Sequence, residues 1–152
     1  MKDKCVKLLA TFFYLGDFPV APGSLASLAG TFLYILTFDN FVGYIALTII
    51  VTVLGFAVSG RMETILKQKD PSCVVIDEVA GVLIAFFLLP LTPAIVITTF
   101  FLFRAFDMFK IYPVNKFEQM KGSVGIMTDD LFAGFYTNIT MHIAIQLVQI
   151  FK

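Results

Sequence analysis

Charged side chains are absent from three long stretches of this chain, residues 41–59, 79–103 and 131–151. Between Phe18 and Gly60 the only charge is Asp39. A helix needs about 20 mostly apolar residues to cross the roughly 30 Å hydrocarbon core of a bilayer. The stretches 41–59 and 131–151 meet that length, whereas 25–38 reaches only about 21 Å at 1.5 Å per residue. That shorter run either spans when extended or lies buried against its neighbours. Apolar residues make up 59% of the chain and the mean hydropathy is +0.90. A soluble domain has about 45–50% apolar residues. The chain is therefore expected to be an all-α integral membrane protein.

Eleven basic and eleven acidic residues cancel. Such a balance argues against a basic nucleic-acid binder, and the apolar content argues against disorder. The 152 residues suit a single domain, 1–152, without repeats or a linker. Oligomeric state is not readable. Lys2, Lys4 and Lys7 precede a short apolar run, Leu8 to Leu15, but no small-x-small cleavage site follows. The segment is expected to be retained, as a partly amphipathic helix in the interface. Cys5 and Cys73 have no metal-ligand spacing and read as ordinary reduced thiols.

The remaining polar residues collect in four clusters. They are Pro19-Val20-Ala21-Pro22-Gly23-Ser24, Asp77-Glu78, Arg104-x-x-Asp107-x-x-Lys110 with Tyr112-Pro113, and Lys121-Gly122-Ser123 running to Thr128-Asp129-Asp130. Ser24 and Thr128 are good N-cap residues, which would put Asp129 and Asp130 in a first helical turn. Pro22-Gly23 leaves free N–H groups at a helix start, where an anion can bind. Gly122 and Gly125 permit a tight loop. Each acidic pair on its own also suits a helix N-terminus, and Arg104 with Asp107 suits a structural ion pair. Together, five carboxylates (Asp77, Glu78, Asp107, Asp129, Asp130) border membrane-length apolar runs, where ionisable groups are costly and mark function.

The stretch 79–103 contains Leu89-Pro90-Leu91-Thr92-Pro93, and two prolines three apart break a helix. A hairpin turning there returns Arg104 to the side of Asp77. Its arms, 79–89 and 94–103, are about 16 Å each, too short to cross, so a partly embedded hairpin is expected. Asp39-Asn40 reads as a second turn. With both turns, all four clusters and every basic residue but Lys152 share one face. The positive-inside rule assigns that face to the cytoplasm.

Carboxylates without a partnering His or Cys suit a hard cation such as Mg²⁺, which binds through one or two carboxylates plus substrate phosphates. Arg104, Lys110 and Lys121 are candidate phosphate ligands, with Gly23 and Ser24 beside them. Asp77, Glu78, Asp129 and Asp130 are the candidate metal ligands. These four and Asp107 form the candidate catalytic acids, one of which would be base or nucleophile. The single histidine, His142, lies inside the last apolar run and reads as a packing or interfacial residue. The expected substrate is a phosphorylated molecule at the interface, most naturally a lipid.

The sequence resembles the phosphatidylglycerophosphatases of the A type. The matching residues are Ala21-Pro22-Gly23-Ser24, Asp77-Glu78-x-x-Gly81, Phe103-Arg104-x-x-Asp107-x-x-Lys110 with Pro113, and Gly125-Ile126-Met127-x-Asp129-Asp130 with Ala133-Gly134. The resemblance implies Mg²⁺-dependent removal of the terminal phosphate from phosphatidylglycerophosphate, a compact helical fold and residence in the bacterial inner membrane. The chain departs from the family's usual residues at Ser24, Ala26, Ile111 and Ser123. The rival reading is a small membrane ion-binding or transport subunit whose acids line a cation path.

Overall fold

The computed structural model describes residues 3–109, 120 and 122–151. The described residues form six α-helices and no strand: α1 (Asp3–Ala10), α2 (Pro22–Thr37), α3 (Phe41–Leu66), α4 (Ile76–Ala85), α5 (Pro93–Phe109) and α6 (Ser123–Ile150). The all-α expectation holds. The two long uncharged stretches form α3 and α6, both long and apolar enough to cross a membrane. Only 22% of the most apolar stretch of either helix is buried within the protein. A soluble core helix would hide these side chains. Here Ile49, Ile50, Val53 and Phe56 on α3 and Phe135, Ile139 and Ile143 on α6 face outward.

The short helix α4 is the centre of the molecule. Eight of its ten residues are buried, and α2, α3 and α6 pack around it. At about 15 Å, it starts with Asp77 and Glu78 in its first turn and ends deep among apolar side chains. Ending there would orphan its last carbonyls. Side chains from three neighbouring helices meet them. Asn138 Nδ2 donates to the carbonyls of Ala85 (3.1 Å) and Phe87 (2.7 Å). Tyr44 donates to Leu83, and the Tyr34 hydroxyl donates to Leu89 (2.7 Å). His142 Nε2 lies 3.1 Å from the Phe87 oxygen. The lone histidine therefore has a structural place at the end of α4 remote from the acids.

The hairpin forms where the prolines predict. The chain turns through 86–92, Thr92 accepts a hydrogen bond from Ile95 N, and Pro93 opens α5. The second arm is longer than expected, because α5 runs unbroken to Phe109. The other turn also stands: Asn40 caps α3 by accepting from Gly43 N at 2.9 Å. Two cap assignments do not. Ala21, in left-handed backbone, caps α2, with Pro22 first in the helix and Ser24 third. Gly122, at φ 72°, precedes α6, so Thr128 lies within the helix and Asp129 and Asp130 in its second turn. In both cases a Pro or Gly that stops the upstream chain sets the helix start, and the hydroxyl further along is carried inside. Gly125 is likewise helical rather than part of a loop.

α1 packs on α3 and exposes Asp3, Lys4, Cys5 and Lys7, in keeping with an amphipathic helix. Lys7 pairs with Asp17 at 2.8 Å across the following turn.

Candidate active site

Four helix ends converge on one polar hollow. The entry to α2 supplies Ala21 to Ser24, and the start of α4 supplies Asp77 and Glu78. The later part of α5 supplies Arg104 and Asp107, and the second turn of α6 supplies Asp129 and Asp130. The cavity measures about 360 Å³ and is also lined by Asp70, Ser72 and Val74 from the α3–α4 connection. A larger hollow of about 530 Å³ lies between the first part of α5 and the last part of α6. No ionisable residue lines that one, whereas the smaller cavity gathers six carboxylates and an arginine.

Close backbone contacts bring the acids together. A Cβ on Gly134 would lie 2.1 Å from the Gly81 oxygen, and one on Gly81 would lie 2.6 Å from the Asp130 oxygen. α4 and α6 therefore cross at a distance that only glycine allows, with Asp130 one turn before Gly134. A Cβ on Gly23 would fall 2.1 Å from Glu78 Oε1 and 3.5 Å from Arg104 Nη1. The entry to α2 thus closes directly over the acids.

Asp77, Glu78 and Asp130 each offer a carboxylate oxygen within 4.8 Å of the others. Asp77 Oδ1 and Glu78 Oε2 are buried and have no hydrogen-bond partner among the described residues. Burial pushes Asp77 well above the usual carboxylate range, and Glu78 beside it pushes the same way. Burial also raises Glu78, to about 7; the hydrogen bond from Asp77 opposes this, Asp107 adds to it and Arg104 opposes it. Two acids held this way need either protons or a cation. The donor set, all oxygen and negatively charged, fits Mg²⁺.

Asp129 lines the same cavity but is not part of that close triad; its Oδ1 accepts from Asp130 N at 3.1 Å. Asp107 pairs with Arg104, Oδ2 to Nη1 at 2.6 Å. Gly23 is buried, and Ser24 is half-buried at the cavity wall. Lys110 and Lys121 lie outside the described residues, as do Ile111, Tyr112 and Pro113. Sequence reasoning missed Ser27, Asp70 and Ser72. Ser27 carried a legible signal, since it stands one helical turn after Gly23. Asp70 and Ser72 enter through a connection whose path no periodicity reveals. Ser123, one of the departures, has a role at another contact: its Oγ accepts from Gly60 N at 3.0 Å, joining α6 to α3.

An all-helical chain whose largely exposed apolar helices carry an acid-and-arginine cavity is now defined. The family description Phosphatidylglycerophosphatase A matches residues 8–145, and the chain belongs to that family of phosphomonoester hydrolases. It is 33% identical to phosphatidylglycerophosphatase A of Haemophilus influenzae, over 90% of this chain and 86% of that one. Identity to the Escherichia coli protein of the same name is 32%, over 84% of this chain and 76% of that one. A Bacteroides thetaiotaomicron protein, provisionally named a phosphatidylinositol-3-phosphatase, is 35% identical over 90% of this chain and 91% of its own. No solved structure matches. The cation-path alternative gains no support from these relatives, all of them named as phosphatases.

Proposed function

We propose that the protein hydrolyses the terminal phosphate of phosphatidylglycerophosphate to give phosphatidylglycerol, with Mg²⁺ held by Asp77, Glu78 and Asp130. The observation that carries this reading is the pair of buried, unpartnered oxygens on Asp77 and Glu78, close to Asp130 and across the cavity from Arg104. Bound there, Mg²⁺ would supply charge neutralisation and Lewis acidity at the phosphoryl oxygens.

The chain's own residues do the rest. The first-turn N–H groups of α2 at Gly23 and Ser24 and the Arg104 guanidinium face the cavity and receive the phosphate oxygens. Asp129, which lines the cavity outside the close triad, is assigned to take a proton from an attacking water. Water oxygen bonds to phosphorus, the bond from phosphorus to the glycerol oxygen breaks, and that oxygen takes up the proton that Asp129 removed from the water. Inorganic phosphate and the lipid alcohol leave.

The protein resides in a bacterial cytoplasmic membrane, crossed by α3 and α6, with the cavity on the cytoplasmic side. The outward-facing apolar side chains of both helices support this, as does the placement of the basic residues. The Bacteroides relative favours a second headgroup, a phosphorylated inositol. Phosphate release from detergent-solubilised protein, measured on phosphatidylglycerophosphate and phosphatidylinositol 3-phosphate side by side, tests the choice. The reading requires faster release from phosphatidylglycerophosphate. A reversed preference would transfer the assignment to the inositol lipid.

A further inference from the structure

Arg104 is held from one side only. Its Nη1 contacts Asp107 Oδ2 at 2.6 Å and donates to Ser27 Oγ at 3.5 Å. Its Nε is buried and has no partner among the described residues. Ser27 is fully buried, on the turn of α2 that follows Gly23. Its hydroxyl donates to the Gly23 carbonyl at 2.9 Å, which uses its one proton and turns its lone pairs outward. Arginine is the donor that meets them.

We propose that Ser27 is a positioning residue: with Asp107 it fixes Nη1 and so holds the Arg104 guanidinium at the cavity wall, where the phosphate to be cleaved is received. This inference rests on the phosphate-binding reading of Arg104. Three observations make the arrangement more than an ion pair between helical neighbours. An i, i+3 pair on an exposed helix face would leave the guanidinium in water, whereas both partners here are mostly buried. A desolvated Nε without an acceptor is costly. Ser27 also ties the arginine to the Gly23 turn, so the α2 N–H groups and the guanidinium are held in one geometry. Asp107 accordingly serves Arg104 rather than the acid triad.

The test is a cycle of Ser27→Ala, Arg104→Lys and the double variant, in mixed micelles with Mg²⁺. Two quantities are read: kcat/KM on phosphatidylglycerophosphate and inhibition by inorganic phosphate. Ser27→Ala is expected to lower kcat/KM and weaken phosphate inhibition by about tenfold each, the size of one charged hydrogen bond. In the Arg104→Lys background the same change should do nearly nothing, because the group being positioned is gone. Equal losses in both backgrounds would make Ser27 a packing residue and overturn the proposal. So would wild-type phosphate inhibition in Ser27→Ala where Arg104→Lys has weakened it. Unchanged phosphate inhibition in Arg104→Lys would instead remove the phosphate-binding reading of Arg104, and this inference with it.

Discussion

Glu78 Oε1 occupies the space that a side chain at position 23 would need, 2.1 Å from where a Cβ would stand. Gly23→Ala must displace either the carboxylate or the helix entry. It is expected to lower phosphate release at least tenfold while circular dichroism stays helical; wild-type turnover in that variant would contradict the close approach. Glu78 also sets a pH dependence. Its folded-state pKa, raised by burial to about 7, lies above the 4.5 of an exposed glutamate. Between those values the folded protein binds more protons than the unfolded chain, so stability falls as pH rises. Thermal midpoints measured in chelator should therefore drop from about pH 4.5 to 7, and Glu78→Gln should flatten the slope. Residues of this kind were legible in part. The acids and Arg104 were found because charge next to apolar runs is conspicuous. Ser27 was missed because a small hydroxyl in an apolar helix looks like packing until its partner is seen.

Among the elements, α4 is the one whose placement everything else serves. A ten-residue helix cannot cross a bilayer, and its buried end is tolerable because Tyr44 and Asn138 meet carbonyls of its last turn and Tyr34 meets one in the turn that follows. The Gly81–Gly134 crossing then fixes Asp130 against Asp77 and Glu78. Gly134→Ala should cost about 1–3 kcal/mol by overpacking and depress activity more than stability, since Asp130 moves with its helix. A thermal scan and an activity assay on the same preparation check this; an unaffected protein would rule out the tight crossing. The hairpin itself was readable from Pro90 and Pro93, whose rings forbid a continuous helix. The starts of α2 and α6 were not readable from Ser24 and Thr128. A hydroxyl at a cap is optional, whereas Pro22 and Gly122 constrain the backbone directly.

For the whole molecule, every acid of the cavity is proposed to lie on the cytoplasmic side and the Asp39–Asn40 turn, at the far end of α3, on the other. Exposed Cys5 lies in α1 at the cavity side, and Asp39 is exposed in the opposite turn. In spheroplasts of an expressing bacterium, a membrane-impermeant maleimide should label Asp39→Cys and leave Cys5 unlabelled until the cells are lysed. Labelling of Cys5 in intact spheroplasts would invert the topology. Uncharged stretches of sequence announced α3 and α6 by length alone, but not how α4 and α5 insert between them. That arrangement depends on side-chain caps and glycine contacts between residues far apart in sequence. The central claim is that Asp77, Glu78 and Asp130 form a Mg²⁺-dependent phosphatase centre. It is tested most directly by the initial rate of phosphate release from phosphatidylglycerophosphate as a function of free Mg²⁺, for the wild-type protein and Asp130→Asn. Saturable activation of the wild type is expected, abolished by chelator and restored by Mg²⁺, with at least a hundredfold lower rate in the variant. Chelator-resistant release, or a near-normal Mg²⁺ response in Asp130→Asn, would contradict it.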